Sequence, residues 1–383
     1  MWQAAARYFL FAHLNKCRES MDGFEKWDKE YRSQNMYAFN FDPAGLLWLK
    51  VKAVCRSRLI RQFLADNGIS LTSKKLREQQ EELFLMLEDK PDAMAMLDRF
   101  LRETSHEWYE TMHIDEARLK DDLYKIHHYE WGGDKNNSLD RHLVSRYVKV
   151  ISGYDELASR RDEITDNAWR YVQTSWYNNW TSYLIESLFK RHGSKVVSAV
   201  GEIKGVDFFI ADIPIDLKVT FFPRQYMQEK MKSKLGIKEL SWLKSQARTA
   251  GIAVDGTQPE EQQIYVLSEK LSEMGHREIL DKLNEVRRRV VKETQSDSTE
   301  LIKWLYSNQG EMRFGSENRL FIVLVDITDM SQSWKMKRAF TLIEPAVSRY
   351  IDGFNSHSLR EIDFSFNGNR YRSLADAIFI VKE

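Results

Sequence analysis

The sequence predicts an α/β protein: a mixed β-sheet flanked by helices, with an α-helical N-terminal domain before it and a helical insertion inside it. Three observations predict this. Up to about residue 150, apolar residues recur at helical spacings with charges between them. Over 195–220 the pattern changes to short runs with a period of two. A strongly apolar, strand-like run then returns at 319–327, after a helical stretch that begins near Arg224. Composition agrees: 383 residues with 57 Lys+Arg against 57 Asp+Glu, 43% apolar and 30% charged, are the profile of a soluble globular chain with room for more than one domain. They exclude intrinsic disorder.

Taken in order, 1–14 reads as an amphipathic helix, because Arg7 interrupts it and it has neither a basic start nor a small-residue cleavage site. Helices follow at 76–87, 92–102 and 115–124. The breaker cluster at 131–139 (Gly132, Gly133, Asp134, Asn136, Asn137, Ser138) marks a domain edge, which divides the chain into 1–150 and 151–383. The first part would serve dimerisation or target recognition. A long helix is expected over 165–192, capped by Thr165 or Asp166 and stopped by Gly193 after Lys190, Arg191 and His192. Trp169, Trp176 and Trp180 recur on it at helical spacing and read as packing residues.

Three strands follow at 195–200, 206–210 and 213–220, with a turn at Asp212, Ile213 and Pro214. A helical insertion at about 224–317 precedes the strand at 319–327, a helix at 331–349, and strands at 362–366 and 377–381. No apolar run approaches the roughly 18 to 20 residues that span a bilayer. Two cysteines, Cys17 and Cys55, without CxxC spacing point to a reducing, cytoplasmic setting rather than a disulfide framework.

The chemistry centres on the strand Ile215-Asp216-Leu217-Lys218-Val219-Thr220. Side chains alternate faces along a strand, so Asp216 and Lys218 share one face and Ile215, Leu217 and Val219 the other. Asp207, on the preceding strand, lies at hairpin distance from Asp216. Two carboxylates brought together repel, and a hard divalent cation offsets that repulsion, which makes Mg²⁺ the natural choice. Lys218 beside such an ion is suited to orienting or deprotonating a water, or to neutralising a phosphate under attack. Glu186 adds a third acid on a polar helical seam with Ser175, Asn179 and Ser182. An acid two residues before a lysine also occurs at Glu88/Lys90 and Glu202/Lys204, but only Asp216/Lys218 lies inside an apolar strand with an acid at hairpin distance.

With those residues in place, the region over about 175–222 resembles the PD-(D/E)XK nuclease superfamily, the restriction-endonuclease-like fold. Asp207 and Asp216-Leu217-Lys218 match its signature, and Glu186 in Tyr183-Leu184-Ile185-Glu186 matches its helical glutamate. Val206 stands where the signature has proline. The resemblance implies a catalytic set of Glu186, Asp207, Asp216 and Lys218, with metal held by Asp207, Asp216 and the carbonyl of Leu217. It further implies Mg²⁺, with Mn²⁺ able to substitute, and a homodimer that cuts both strands of DNA as a type II restriction or phage-defence nuclease.

The span 218–250 holds eight basic residues against two acidic ones, and Arg224, Lys230, Lys232, Lys234 and Lys238 are its candidates for nucleic-acid contact. Arg287-Arg288-Arg289 is a second candidate. The absence of GxxxxGK[ST] excludes a P-loop and, with it, a nucleotide cofactor of that kind, and the histidines fit neither HExxH nor an HNH-like pattern. The alternative from the same residues is a nucleic-acid- or protein-binding module on a nuclease-like fold with little or no cleavage.

Overall fold

The computed structural model describes residues 23–133, 138–253, 257–308, 316–355, 357–366 and 368–383. The expected helix at 1–14, Cys17, and part of the breaker cluster lie outside these residues. The chain is α/β, with a mixed six-stranded sheet in the order β1-β2-β3-β4-β6-β5. The strands are β1 Val196–Ile203, β2 Val206–Ile210, β3 Ile213–Phe221, β4 Arg319–Asp326, β5 Arg360–Phe366 and β6 Asn369–Lys382. Two compact units emerge. One comprises the described residues within Met1–Lys218, Gln309–Leu320 and Val347–Ala375, and the other those within Val219–Asn308, Phe321–Ala346 and Asp376–Glu383.

In the first unit, helix α1 (Pro43–Val54) starts where Asp42 accepts hydrogen bonds from the Ala44 and Gly45 N–H groups, with Pro43 in the first turn where no N–H is needed. Its sequence is apolar nearly all round, so it must be buried nearly all round. Trp48, Leu49, Val51, Ala53 and Val54 are inaccessible to solvent. They share one core with helix α2 (Ala93–Thr111) and with Val197, Ala199, Ile203, Val206 and Phe209 of β1 and β2. The helices ahead of the breaker cluster therefore do not close on themselves: the core of the first unit runs across the expected boundary at 150. Gly201 of β1 is obligatory here, because a Cβ at that position would lie 1.7 Å from the Ala53 carbonyl oxygen.

Helix α3 (Arg161–Lys190) starts earlier than expected. Thr165 is not its cap: the hydroxyl bonds back to the Arg161 carbonyl inside the helix, and Asp166 pairs with Arg170 one turn on. Asp162 and Glu163 in the first turn and Lys190 in the last complement the helix dipole. Phe189 stacks on Phe208 of β2 at 5.0 Å, which seats the C-terminal half of α3 on the sheet. Trp169, in the N-terminal half, is 59% exposed, so the packing expected of it is not made.

The β2–β3 hairpin turns at Ala211 and Asp212, both with positive φ, so β3 begins at Ile213 as expected, while Ile213 and Pro214 belong to the strand and not to the turn. Asp216 N–H donates to the Asn318 carbonyl at 2.8 Å and Phe222 N–H to the Leu324 carbonyl at 2.9 Å, which makes β4 parallel to β3. β3 is thus an interior strand, not an exposed edge.

In the second unit the insertion is helical, comprising α4 (Arg224–Leu235), α5 (Glu239–Thr249), α6 (Glu260–Glu273), α7 (Arg277–Ser296) and α8 (Thr299–Asn308). The single helix expected at 331–349 is divided at Ala339 into a 3₁₀ segment, Met330–Arg338, and an α-helix, Phe340–Gly353. Among the described residues, no helix is long and apolar enough to cross a membrane.

Candidate active site

The hairpin register sets the site. Phe208 faces Ile215 across β2 and β3, and the same register carried one residue further sets Asp207 opposite Asp216. Opposed residues share a sheet face, and Lys218, two residues along, shares it too. From this point Asp207 replaces the backbone ladder, since its carboxylate accepts the Leu217 N–H at 2.7 Å. The side chain that ends the strand pairing is the same one that brings negative charge to Asp216.

Asp216 is 6% exposed and has a cation on each oxygen. Lys218 Nζ lies 2.7 Å from Oδ1, and Arg319 Nε of β4 lies 3.1 Å from Oδ2. Arg319 is 1% exposed, and its Nη2 lies 3.8 Å from Oε2 of the buried Glu317. Lys218, by contrast, keeps a side chain 38% accessible.

Glu186 projects from α3, where it pairs with Lys190, and its side chain is 31% exposed. Its charge reaches the hairpin. Burial, then the charges of Asp216 and Glu186, push the Asp207 carboxyl up to about 6, against the opposing pull of the Leu217 N–H and of Lys218. Burial and Glu186 likewise push the Tyr109 hydroxyl upward, so that it stays protonated.

Asp207, Asp216, Lys218 and Glu186 are therefore brought into one electrostatic neighbourhood. Leu217 contributes its N–H to Asp207. Among the described residues, no three His, Cys, Asp or Glu side chains form a ready metal-binding group. The donor set that fits a hard cation is two opposed carboxylates, of which Asp207 is met by the Leu217 N–H and the nearby Lys218.

Sequence reasoning missed Arg319 and Glu317. The available signal was an arginine heading an otherwise apolar interior strand, Arg-Leu-Phe-Ile-Val-Leu-Val, where a buried guanidinium requires a carboxylate.

The basic candidates all lie in the second unit and divide by partner. Lys230 pairs with Glu300 and Lys234 with Glu293, the latter at 2.7 Å. Lys232 and Lys238 are exposed, and Arg224 is half-buried. Of the arginine triplet, Arg287 is 8% exposed, pairs with the buried Glu239 and donates to the Ile327 carbonyl, so it is a structural group and not a phosphate contact. Comparison of the chain with protein-family models, with curated proteins and with solved structures finds no match.

Proposed function

We propose that this chain is a Mg²⁺-dependent endonuclease of the PD-(D/E)XK type, hydrolysing phosphodiester bonds in double-stranded DNA as a type II restriction or phage-defence enzyme. The observation that carries this reading is Asp207 bonded to the Leu217 N–H, next to Asp216 on the neighbouring strand, with the partly exposed Lys218 bonded to Asp216. A half-buried acid pushed up to about 6 by burial, then by the charges of Asp216 and Glu186, is an arrangement that a divalent cation relieves. Asp207, Asp216 and the Leu217 carbonyl would hold the ion, whose chemistry is to polarise a phosphoryl oxygen and acidify a water.

The chain's own groups do the rest. Lys218 leaves Asp216 to orient the attacking water or to offset charge on the phosphate, and Glu186 assists from α3. Lys232 and Lys238, with Arg224, Lys230 and Lys234 beside them, hold the DNA backbone. A homodimer supplies the second cut, and a cytoplasmic location accords with the free thiol of Cys55.

The test is incubation of purified protein and Mg²⁺ with plasmid, genomic and single-stranded DNA. We expect cleavage of duplex DNA and its loss in Lys218→Ala; intact substrates, or an equally active variant, overturn the reading. RNA cleavage in place of DNA cleavage keeps the active site and overturns the substrate.

One observation favours a second reading. Lys218 and Arg319 together already satisfy both oxygens of Asp216, as a purely structural ion network would. On that reading the chain is a nucleic-acid- or protein-binding module, and DNA is retained on a column but not cut.

A further inference from the structure

The two cations on Asp216 are not equivalent. Arg319 lies at the head of β4 with 1% of its surface exposed, while the Lys218 side chain is 38% accessible. Glu317, 5% exposed, places a carboxylate oxygen 3.8 Å from the Arg319 guanidinium, an ion-pair contact longer than a hydrogen bond. The backbone around the pair is equally fixed: Asn318, between them, accepts the Asp216 N–H at 2.8 Å and donates its side-chain amide to the Pro214 carbonyl at 2.9 Å. Withdrawing a buried guanidinium from its carboxylate takes from each charge its nearest buried partner in a medium that solvates neither. An ammonium on a half-exposed, flexible stem leaves at little cost, because water takes over its hydrogen bonds.

Resting on the proposed function, we propose that Arg319 is a positioning residue. It locks the Asp216 carboxylate by one oxygen, so that the second oxygen faces the cation site in a fixed orientation and Lys218 alone is released when a divalent ion arrives. Signs alternate along the line Glu317, Arg319, Asp216, Lys218, and of the four only Lys218 is substantially exposed. A carboxylate oxygen offers more than one lone pair, so the Arg319 bond does not close Asp216 to an ion. It removes the rotational freedom that metal binding would otherwise have to freeze.

The experiment measures Mn²⁺ affinity of the full chain without DNA, by calorimetry or by loss of the free-ion paramagnetic resonance signal. Wild type binds. Arg319→Lys keeps the charge but loses the planar fork, and is expected to weaken Mn²⁺ by about ten- to a hundredfold, the scale for removing a group that orients a ligand. Lys218→Met is expected to bind Mn²⁺ no more weakly than wild type, since the departing cation is already gone. Glu317→Gln shifts affinity in the same direction as Arg319→Lys and by less, and it decides the matter if Arg319→Lys fails to fold.

Arg319→Lys folding normally with wild-type Mn²⁺ affinity overturns the positioning role, as does an equal loss in Lys218→Met and Arg319→Lys. Wild type with no Mn²⁺ affinity overturns the proposed function itself. The two failures are thereby distinguishable.

Discussion

The β2–β3 hairpin carries charge at both ends, and the ends differ. At the closed end, Asp212 of the turn meets Lys50 of α1 at 2.7 Å, and Lys50, wholly buried, also meets Asp98 of α2 at 2.5 Å. Each charge there has an opposite partner, and the cluster pins two helices to the turn. At the open end burial, and then the like charges of Asp216 and Glu186, push the Asp207 carboxyl up to about 6. The first arrangement is a staple, complete as it stands. In the second, Asp207 accepts a backbone N–H and lies beside two like charges, an arrangement that a cation would relieve.

Four measurements break or sharpen this contrast. The largest effect belongs to the open end: Lys218→Ala is expected to lower plasmid cleavage by about 10²- to 10⁴-fold, the range for removing a group that handles a proton in the transition state, with little change in unfolding midpoint. A variant that unfolds easily yet cleaves normally would assign Lys218 to the staple class.

At the closed end, Lys50→Met removes a buried cation from two acids and is expected to cost about 3 to 5 kcal/mol in urea unfolding, while Asp212→Asn, whose side chain is 60% exposed, costs under about 1 kcal/mol. Equal and small costs would mean that the closed end is not a staple.

The third test is pH. Because the folded-state Asp207 binds its proton more tightly than the unfolded one, its contribution is harmless near pH 4 and costs stability as pH rises through about 6. At about 1.4 kcal/mol for each unit, Asp207→Asn is expected to gain up to about 3 kcal/mol over wild type at pH 8 and nothing at pH 4. Added Mg²⁺ should close that gap in wild type at pH 8 and have no effect at pH 4. A pH-independent difference would show that the folded structure does not raise the Asp207 carboxyl.

The smallest effect is expected in the insertion. Lys232→Glu and Lys238→Glu should each reduce the slope of DNA affinity against salt by about one, whereas Lys234→Glu changes it less, because Glu293 already holds that ammonium.

Much of the site was legible because it is local. The turn at Ala211 and Asp212 and the period-two runs on either side bring Asp207 to Asp216 by hairpin geometry alone, and Lys218 follows from alternation. Glu186 needed the helix before the meander, also close in sequence. Arg319 was illegible, since its partner Asp216 lies 103 residues away and only strand order makes them neighbours. Trp169 was misread for a related reason: helical spacing shows which residues share a face, but not whether another element covers that face.

Periodicity, turn chemistry and the spacing of acids and lysine thus determined the α/β class, the strands and the hairpin that carries the acids, because those properties depend on neighbours along the chain. Tertiary structure decided that β3 is interior, that the early helices share their core with β1 and β2, that Arg287 is buried, and that a buried arginine from β4 holds Asp216. Each depends on which distant segment arrives beside which, and that is settled by burial of apolar area and by the need of every buried charge for a partner.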